Sequence, residues 1–408
     1  MLPECLPRPY DDRGSRFASR ILAKPQRTLQ PATMLETPCY RDPSTGETFP
    51  LDIPRWCGTS MAPLLLTALP GIGRERIDRS VRSLWRYAAC LPIPVANPIS
   101  LGEGCTPLLA RRLHGADVQF KCEWFMPTCS FKDRGASVML SLLRQQGVGH
   151  VLEDSSGNGG AAIAAYAAAG GMRATIMAPD STSPAKTVQM RAHCAAVELI
   201  PGTRQDTSTA AEARASEIFY ASHNWHPFFL QGTKTLAYEL WEDLGFAAPD
   251  NVVIPCGAGS NVLGCMIGFS ELMRVGAISR LPRLFAAQPE NCGPIARATL
   301  GLPPQAATPT IAEGTAIAHP IRLAEVSGAL RQSGGGAVLI SEAKIEAATL
   351  ALAAQGIYVE PTCAQAAAGF AQLLDAGTIR PSDTTVLVLT GTGLKATPRI
   401  AAMLGLQL

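Results

Sequence analysis

From about Ala116 onward, short apolar or β-branched runs alternate with longer alanine-rich stretches. VQFKCEW precedes SFKDRGASVMLSLLRQQG, HVLED precedes GNGGAAIAAYAAAGG, and RATIMAP precedes SPAKTVQMRAHCA. Short β-branched runs suit strands buried on both faces, and the longer stretches suit helices that cover those faces, so the repeat specifies strand-helix units on parallel sheets. It continues through AVELI, a polar helix over 208–221, a helix over 233–244, and the strand NVVIP with a helix after it. RLFAAQ and TTVLVLT follow as strands, with helices near 343–355 and 364–374. The expected class is α/β. The first 75 residues lack this rhythm, are rich in Pro, Arg and polar residues, and read as an irregular extension wrapping the core.

With 408 residues, 47% of them hydrophobic, the chain can bury the core of two lobes. Lys and Arg total 35 against 33 Asp and Glu, with no long run of either sign, so neither a nucleic-acid footprint nor a membrane-surface patch is expected. The apolar stretches 161–169 and 386–389 fall far short of the ~20 residues that cross a bilayer. The twelve cysteines lack the close pairing of a zinc ribbon and the spacing of a disulfide framework. No metal site is expected, and a cytoplasmic enzyme with a small-molecule substrate is.

Four segments at strand-helix junctions carry chemistry, because ligands of open parallel sheets sit at the carboxyl ends of strands. In Pro127-Thr128-Cys129-Ser130-Phe131-Lys132-Asp133-Arg134, Ser130 is placed to cap a helix and Asp133 to complement its positive end. A partly desolvated lysine there can serve as a Schiff-base nucleophile and then as a base; the plain alternative is a solvated first-turn lysine. Ser155-Ser156-Gly157-Asn158-Gly159-Gly160 offers backbone N–H groups and small side chains to a carboxylate or phosphate, or is an ordinary tight turn. Pro255-Cys256-Gly257-Ala258-Gly259-Ser260-Asn261 is a nest for an anion of phosphate size; it lacks the Lys-Ser/Thr ending of a nucleotide loop. Thr390-Gly391-Thr392-Gly393-Leu394-Lys395 presents hydroxyls at a fourth strand end, or is a turn.

Together with SLWRYAACLPIP, LGEGCTPLL, LQGTKTLAYELWEDLG and VEPTCAQAAAG, these segments run in order over residues 82–399. The set resembles threonine synthase and its relatives among the fold type II, tryptophan synthase beta-like, pyridoxal-phosphate enzymes. The resemblance implies two lobes, each with a mainly parallel sheet flanked by helices. An N-terminal extension would cover 1–80, a large cofactor lobe 81–134 and 236–408, and a small mobile lobe 135–235. It implies that Lys132 holds pyridoxal 5'-phosphate through a Schiff base and that Asn158 hydrogen-bonds its ring oxygen. Gly257, Ala258, Gly259, Ser260 and Asn261 would hold the phosphate. Thr390, or else Thr392, would meet the pyridine nitrogen with a neutral hydroxyl, which favours elimination and replacement over transamination. Ser155, Ser156 and Gly157 would receive the substrate α-carboxylate as the small lobe closes. A homodimer is also implied.

The family's defining reaction converts O-phosphohomoserine to threonine, and two departures point elsewhere. Before LQGTKTLAYE, where the family places a basic residue for the substrate phosphate, this chain reads His226-Pro227-Phe228-Phe229. Burying a dianion against Phe229 would leave its charge poorly paired, at a cost of several kcal/mol. Gly159 stands where the family carries a hydroxyl suited to handling water or the leaving group. The expectation is a lyase for an amino acid with a different leaving group. The alternatives are a serine/threonine dehydratase, a cysteine- or cysteate-synthase-like β-replacement enzyme, and a non-catalytic cofactor-binding protein.

Overall fold

The computed structural model describes residues 37–407 apart from Ser183. Residues 1–36 of the expected N-terminal extension lie outside them. The strands in chain order are β1 Cys39–Arg41, β2 Thr48–Pro50, β3 Leu65–Leu66, β4 Leu108–Leu113, β5 Ala116–Cys122, β6 His150–Glu153 and β7 Arg173–Pro179. There follow β8 Ala196–Ile200, β9 Phe219–Tyr220, β10 Asn251–Pro255, β11 Arg283–Pro289, β12 Gly336–Ile340 and β13 Thr385–Leu389. The helices that matter for the site are α1 Lys132–Gln145, α2 Asn158–Ala169, α3 Pro184–Ala192, α4 Arg204–Ala213, α5 Pro227–Thr233, α6 Thr235–Asp243 and α7 Ser260–Arg274.

The strand-helix repeat resolves into two mainly parallel sheets, in keeping with the expected α/β class. A six-stranded sheet runs β12-β11-β10-β13-β5-β4 and a four-stranded sheet runs β8-β7-β6-β9. Every ladder in them is parallel except β4–β5. β10 and β13 are buried at every position, which is why NVVIP and TVLVL read as unbroken apolar runs instead of alternating ones. The antiparallel exception is a hairpin that the sequence reading passed over. His114 and Gly115 join its strands with φ of 49° and 81°, the double left-handed turn whose twist matches a tight hairpin. Its outer strand carries exposed Arg111 and Arg112, charges that discourage pairing with another sheet edge.

Within the extension, β2-β1-β3 form a small antiparallel sheet. Asp42 ties its loops, accepting from Ser44 N at 2.9 Å, Ser60 N at 3.2 Å and Ser60 Oγ at 2.6 Å. The polar helix expected over 208–221 is α4, displaced toward the N-terminus. Thr203 and Asp206 form a reciprocal capping box that fixes its start, and the chain then turns into β9. The helix expected over 233–244 is α6, and a further short helix, α5, precedes it; Pro227 opens α5 at a position where its missing N–H costs nothing. Among the described residues no helix is long and apolar enough to cross a membrane.

The interior between β5, α1 and α6 is held by ions. Arg134 Nε lies 2.7 Å from Glu123 Oε2 and its Nη2 2.9 Å from Glu239 Oε1. Lys121 Nζ sits 2.6 Å from Glu239 Oε1 and 2.7 Å from Asp243 Oδ2. Burial alone would discharge these groups; mutual pairing keeps Arg134 protonated and Glu239 ionised. The network clamps the first turn of α1 to the sheet, and that turn begins with Lys132.

Candidate active site

β10, β13 and β5 are parallel neighbours, so the loops leaving their carboxyl ends open on one edge of the sheet. These loops carry 256–261, 390–395 and 127–132. Two are stitched together: Phe131 N donates to Thr390 O at 3.0 Å, and Thr392 N donates to Cys129 O at 3.3 Å. Ser130 bridges Gly391 in the same seam. The backbone at Ser130 is thereby committed to the seam, and its hydroxyl does not cap α1 as expected. That hydroxyl is buried without a partner among the described residues, and Phe131 is the cap. Cys129 holds φ of 61°, a left-handed conformation unfavourable for a side chain with a Cβ.

The loop after β6 arrives from the other sheet. Asn158 Nδ2 donates to Glu360 Oε1 at 3.1 Å, and Lys395 Nζ donates to Asn158 Oδ1 at 2.9 Å. Glu360 N in turn donates to Gly391 O at 3.3 Å. Asn158, Lys395 and Glu360 thus join the loops after β6 and β13 to the start of the helix Pro361–Asp375.

Of the two threonines expected beside the pyridine ring, Thr392 spends its hydroxyl accepting from Leu394 N at 3.3 Å, while Thr390 Oγ lies 3.3 Å from Cys363 Sγ. Gly257, Ala258 and Gly259 lead into α7, whose first residues are Ser260 and Asn261. Both polar atoms of the Asn261 side chain are buried and without a partner among the described residues. Such an amide costs free energy unless something at the mouth of the helix satisfies it.

On the opposite wall Phe229, from α5, is fully buried. Its ring lies on Gly135, where a Cβ would fall 2.4 Å from three ring atoms, so a glycine in α1 is what seats it. The ring centroid is 5.7 Å from Lys132 Nζ and 5.6 Å from the His223 ring. His223 Nδ1 pairs with Glu153 Oε1 at 2.9 Å, at the end of β6. Ser155, Ser156 and Gly157 form the turn between β6 and α2, and Gly159 follows on α2. Asp154 pairs with Arg204 at 3.1 Å, and a cleft of about 700 Å³ opens there, lined in part by Asp154, Arg204, Ser222, Asn224 and Ala258.

The Lys132 side chain is half-buried, and the protein packed around its amine desolvates it and lowers its pKa to about 8. Glu153, Asp154 and Glu360 oppose that fall and Arg204 adds to it. Burial pushes His223 well below its ordinary value, and Lys132 pushes the same way, so the imidazole is neutral.

A buried lysine poised near neutrality, a Gly-rich helix mouth with an unsatisfied amide, and hydroxyls at the neighbouring strand end are a constellation that a sequence comparison can test. Residues 99–391 match the family described as pyridoxal-phosphate dependent enzyme. The chain belongs to that family. This pyridoxal-phosphate enzyme is 33% identical to threonine synthase of Methanosarcina acetivorans over 336 residues, 79% of this chain and 83% of the relative. It is 32% identical to threonine synthase of Methanocaldococcus jannaschii over 337 residues, with the same coverage of both chains. Processed threonine deaminase isoform 2 from Solanum lycopersicum superposes with a TM-score of 0.62 at 23% identity, over 74% of this chain and 88% of that one. O-ureido-L-serine synthase superposes with a TM-score of 0.60 at 24% identity, over 74% and 94%. These likenesses establish the fold type II architecture, and with the family they establish a pyridoxal-phosphate-dependent lyase.

The residues of this pyridoxal-phosphate enzyme fit the cofactor: the orphaned Asn261 amide lies at the helix mouth expected for its phosphate, and the softened lysine stands on the adjoining loop. Sequence reasoning missed Glu153, His223, Glu360, Lys395 and Cys363. Glu153 and Asp154 had a visible signal, two carboxylates closing the strand HVLED at the same edge as Lys132. His223 had none, because it reaches the site from a loop about seventy residues away from Glu153.

Proposed function

We propose that this enzyme eliminates or replaces an uncharged leaving group on a small amino acid and does not use O-phosphohomoserine. The observation that carries the reading is Phe229, buried over the lysine amine where a phosphorylated side chain would need a cation. The nearby cations have other engagements: Arg204 is paired with Asp154, and Lys395 with Asn158. Three carboxylates, Glu153, Asp154 and Glu360, already act on the amine. The cofactor adds a phosphate of its own, so a second dianion would be poorly compensated.

Pyridoxal phosphate, when bound, supplies the conjugated ring that takes up the electron pair left when a bond to the substrate α-carbon breaks. In this reading Lys132 holds the cofactor and carries the α-proton, and its lowered pKa leaves a useful fraction of free amine near neutrality. Asn158 and Thr390 orient the ring, with Cys363 backing Thr390 and Thr392 serving its own turn. Gly257 to Asn261 hold the phosphate. Ser155, Ser156 and Gly157 bind the α-carboxylate, and Gly159 leaves room beside it. The 700 Å³ cleft supports a second reading, β-replacement, because it would admit an incoming nucleophile beside Ala258. A homodimer in the cytoplasm completes the proposal; the eleven cysteines of the described residues are unpaired, as a reducing compartment keeps them.

The test is the visible spectrum of the cofactor-loaded protein through additions of O-phosphohomoserine, phosphoserine, acetylserine, serine and threonine. A response to an unphosphorylated amino acid with release of 2-oxo acid supports the reading. A response confined to O-phosphohomoserine with release of phosphate overturns it.

A further inference from the structure

Two polar groups converge on the point where Gly159 has no side chain. A Cβ built there would lie 2.8 Å from His223 Cε1, 2.9 Å from His223 Nδ1 and 2.8 Å from Ser155 Oγ. The imidazole therefore occupies the space that any other residue at 159 would fill, directly beside Asn158. Its orientation is fixed from behind. Glu153 receives Nδ1 at 2.9 Å, and the same carboxylate accepts from the main-chain N of His223 at 3.1 Å and of Asp154 at 3.1 Å. With Nδ1 committed to Glu153, Nε2 is the ring's remaining polar atom.

We propose that His223, seated by Glu153 in the space Gly159 leaves, recognises the substrate side chain and selects small amino acids with an uncharged β-hydroxyl. The inference rests on the reading of the site given above and names the substrate class for it. The Phe229 ring lies 5.6 Å from the His223 ring and 5.7 Å from the Lys132 amine, so the imidazole belongs to the same wall that faces the lysine. Glu153 at the end of β6, Asp154 after it, Lys132 on α1 and Arg204 on α4 are the charged groups around the imidazole; burial, Lys132 and Arg204 hold its pKa down against the opposing pull of Asp154, and it stays neutral. A neutral imidazole exchanges a hydrogen bond with a hydroxyl and offers nothing to a phosphate dianion. A site built around such a partner favours the substrate that carries the hydroxyl over the analogue that lacks it, because only the former pairs with the ring's free nitrogen.

The experiment titrates the loaded protein with L-serine, L-threonine, L-alanine and O-phospho-L-serine, reading half-saturation from the cofactor spectrum. Wild type should favour serine over alanine by about tenfold or more, one hydrogen bond to a buried polar group. His223→Ala should lose that preference and recover it with added imidazole; His223→Gln should retain part of it; Gly159→Thr, which evicts the ring, should lose it. Nitrogen-15 spectra of the cofactor-free protein provide a readout independent of turnover: His223 should stay neutral and Nδ1-protonated over about pH 6 to 8, and Glu153→Gln should disturb it. An unchanged serine preference in His223→Ala and Gly159→Thr, with the cofactor spectrum intact, overturns this inference alone. Wild type that ignores serine and threonine and answers to a phosphorylated amino acid overturns the underlying reading with it.

Discussion

The surroundings of Lys132 oppose its charge. A lysine pKa held at about 8 in place of 10.5 means the folded chain binds fewer protons than the unfolded chain between those values, so this group's destabilisation is full below 8 and is relieved as pH rises toward 10.5. Covalent capture of pyridoxal phosphate by the stripped protein should accordingly accelerate with pH and level off above about 8, followed by stopped-flow absorbance; a midpoint near the ordinary lysine value would contradict the environment described. Lys132→Ala should abolish capture altogether. Cys129 carries backbone strain at φ 61°, and Cys129→Gly should raise stability by about 1 kcal/mol in urea unfolding. The loops of Lys132, Asn158 and Asn261 were singled out because the motifs recur in order and together resemble the threonine synthase family; each loop taken alone reads equally as a turn. His223, Glu360 and Cys363 were not: an isolated histidine, glutamate or cysteine has no periodicity, and only the tertiary fold brings it to the site.

Among elements, the first turn of α1 is both the chemical and the mechanical centre. Arg134 and Lys121 share Glu239, so removing that carboxylate leaves two buried cations with a single carboxylate each, Glu123 and Asp243. Glu239→Ala should cost about 3–5 kcal/mol in denaturant unfolding, far beyond an exposed pair, whereas Arg111→Ala on the edge strand should change little. This network was invisible at the sequence level, since a charged residue in a strand-helix repeat reads as solvated unless its partners are known. Helices and parallel strands were legible from the alternation of short β-branched runs with longer alanine-rich stretches. The β4–β5 hairpin was missed although His114-Gly115 between two runs is a hairpin signal, because a strand reading tuned to parallel units does not look for it. The shifted start of α4 had its own signal in Thr203 and Asp206.

At the scale of the molecule, the site is assembled from loops of both sheets, so the cofactor binds only the assembled form. A ligand at about a hundred times its dissociation constant adds about 2.7 kcal/mol to folding. Cofactor addition should raise the melting temperature of wild type, and Asn261→Ala should shrink that increment while leaving the stripped protein's melting point nearly unchanged, both read by calorimetry. The α/β architecture was plain in the strand-helix rhythm, while the small sheet β2-β1-β3 was not, its strands being only two or three residues long. The contact between Gly159 and His223 also bears on history. With the imidazole and the Ser155 hydroxyl each 2.8 Å from where a Cβ would stand, a larger residue at 159 displaces the ring at 223 from its seat. The two positions are therefore coupled: a lineage leaving this state is expected to substitute 223 first, and a library that varies 159 alone should yield few members that keep the substrate preference of this chain.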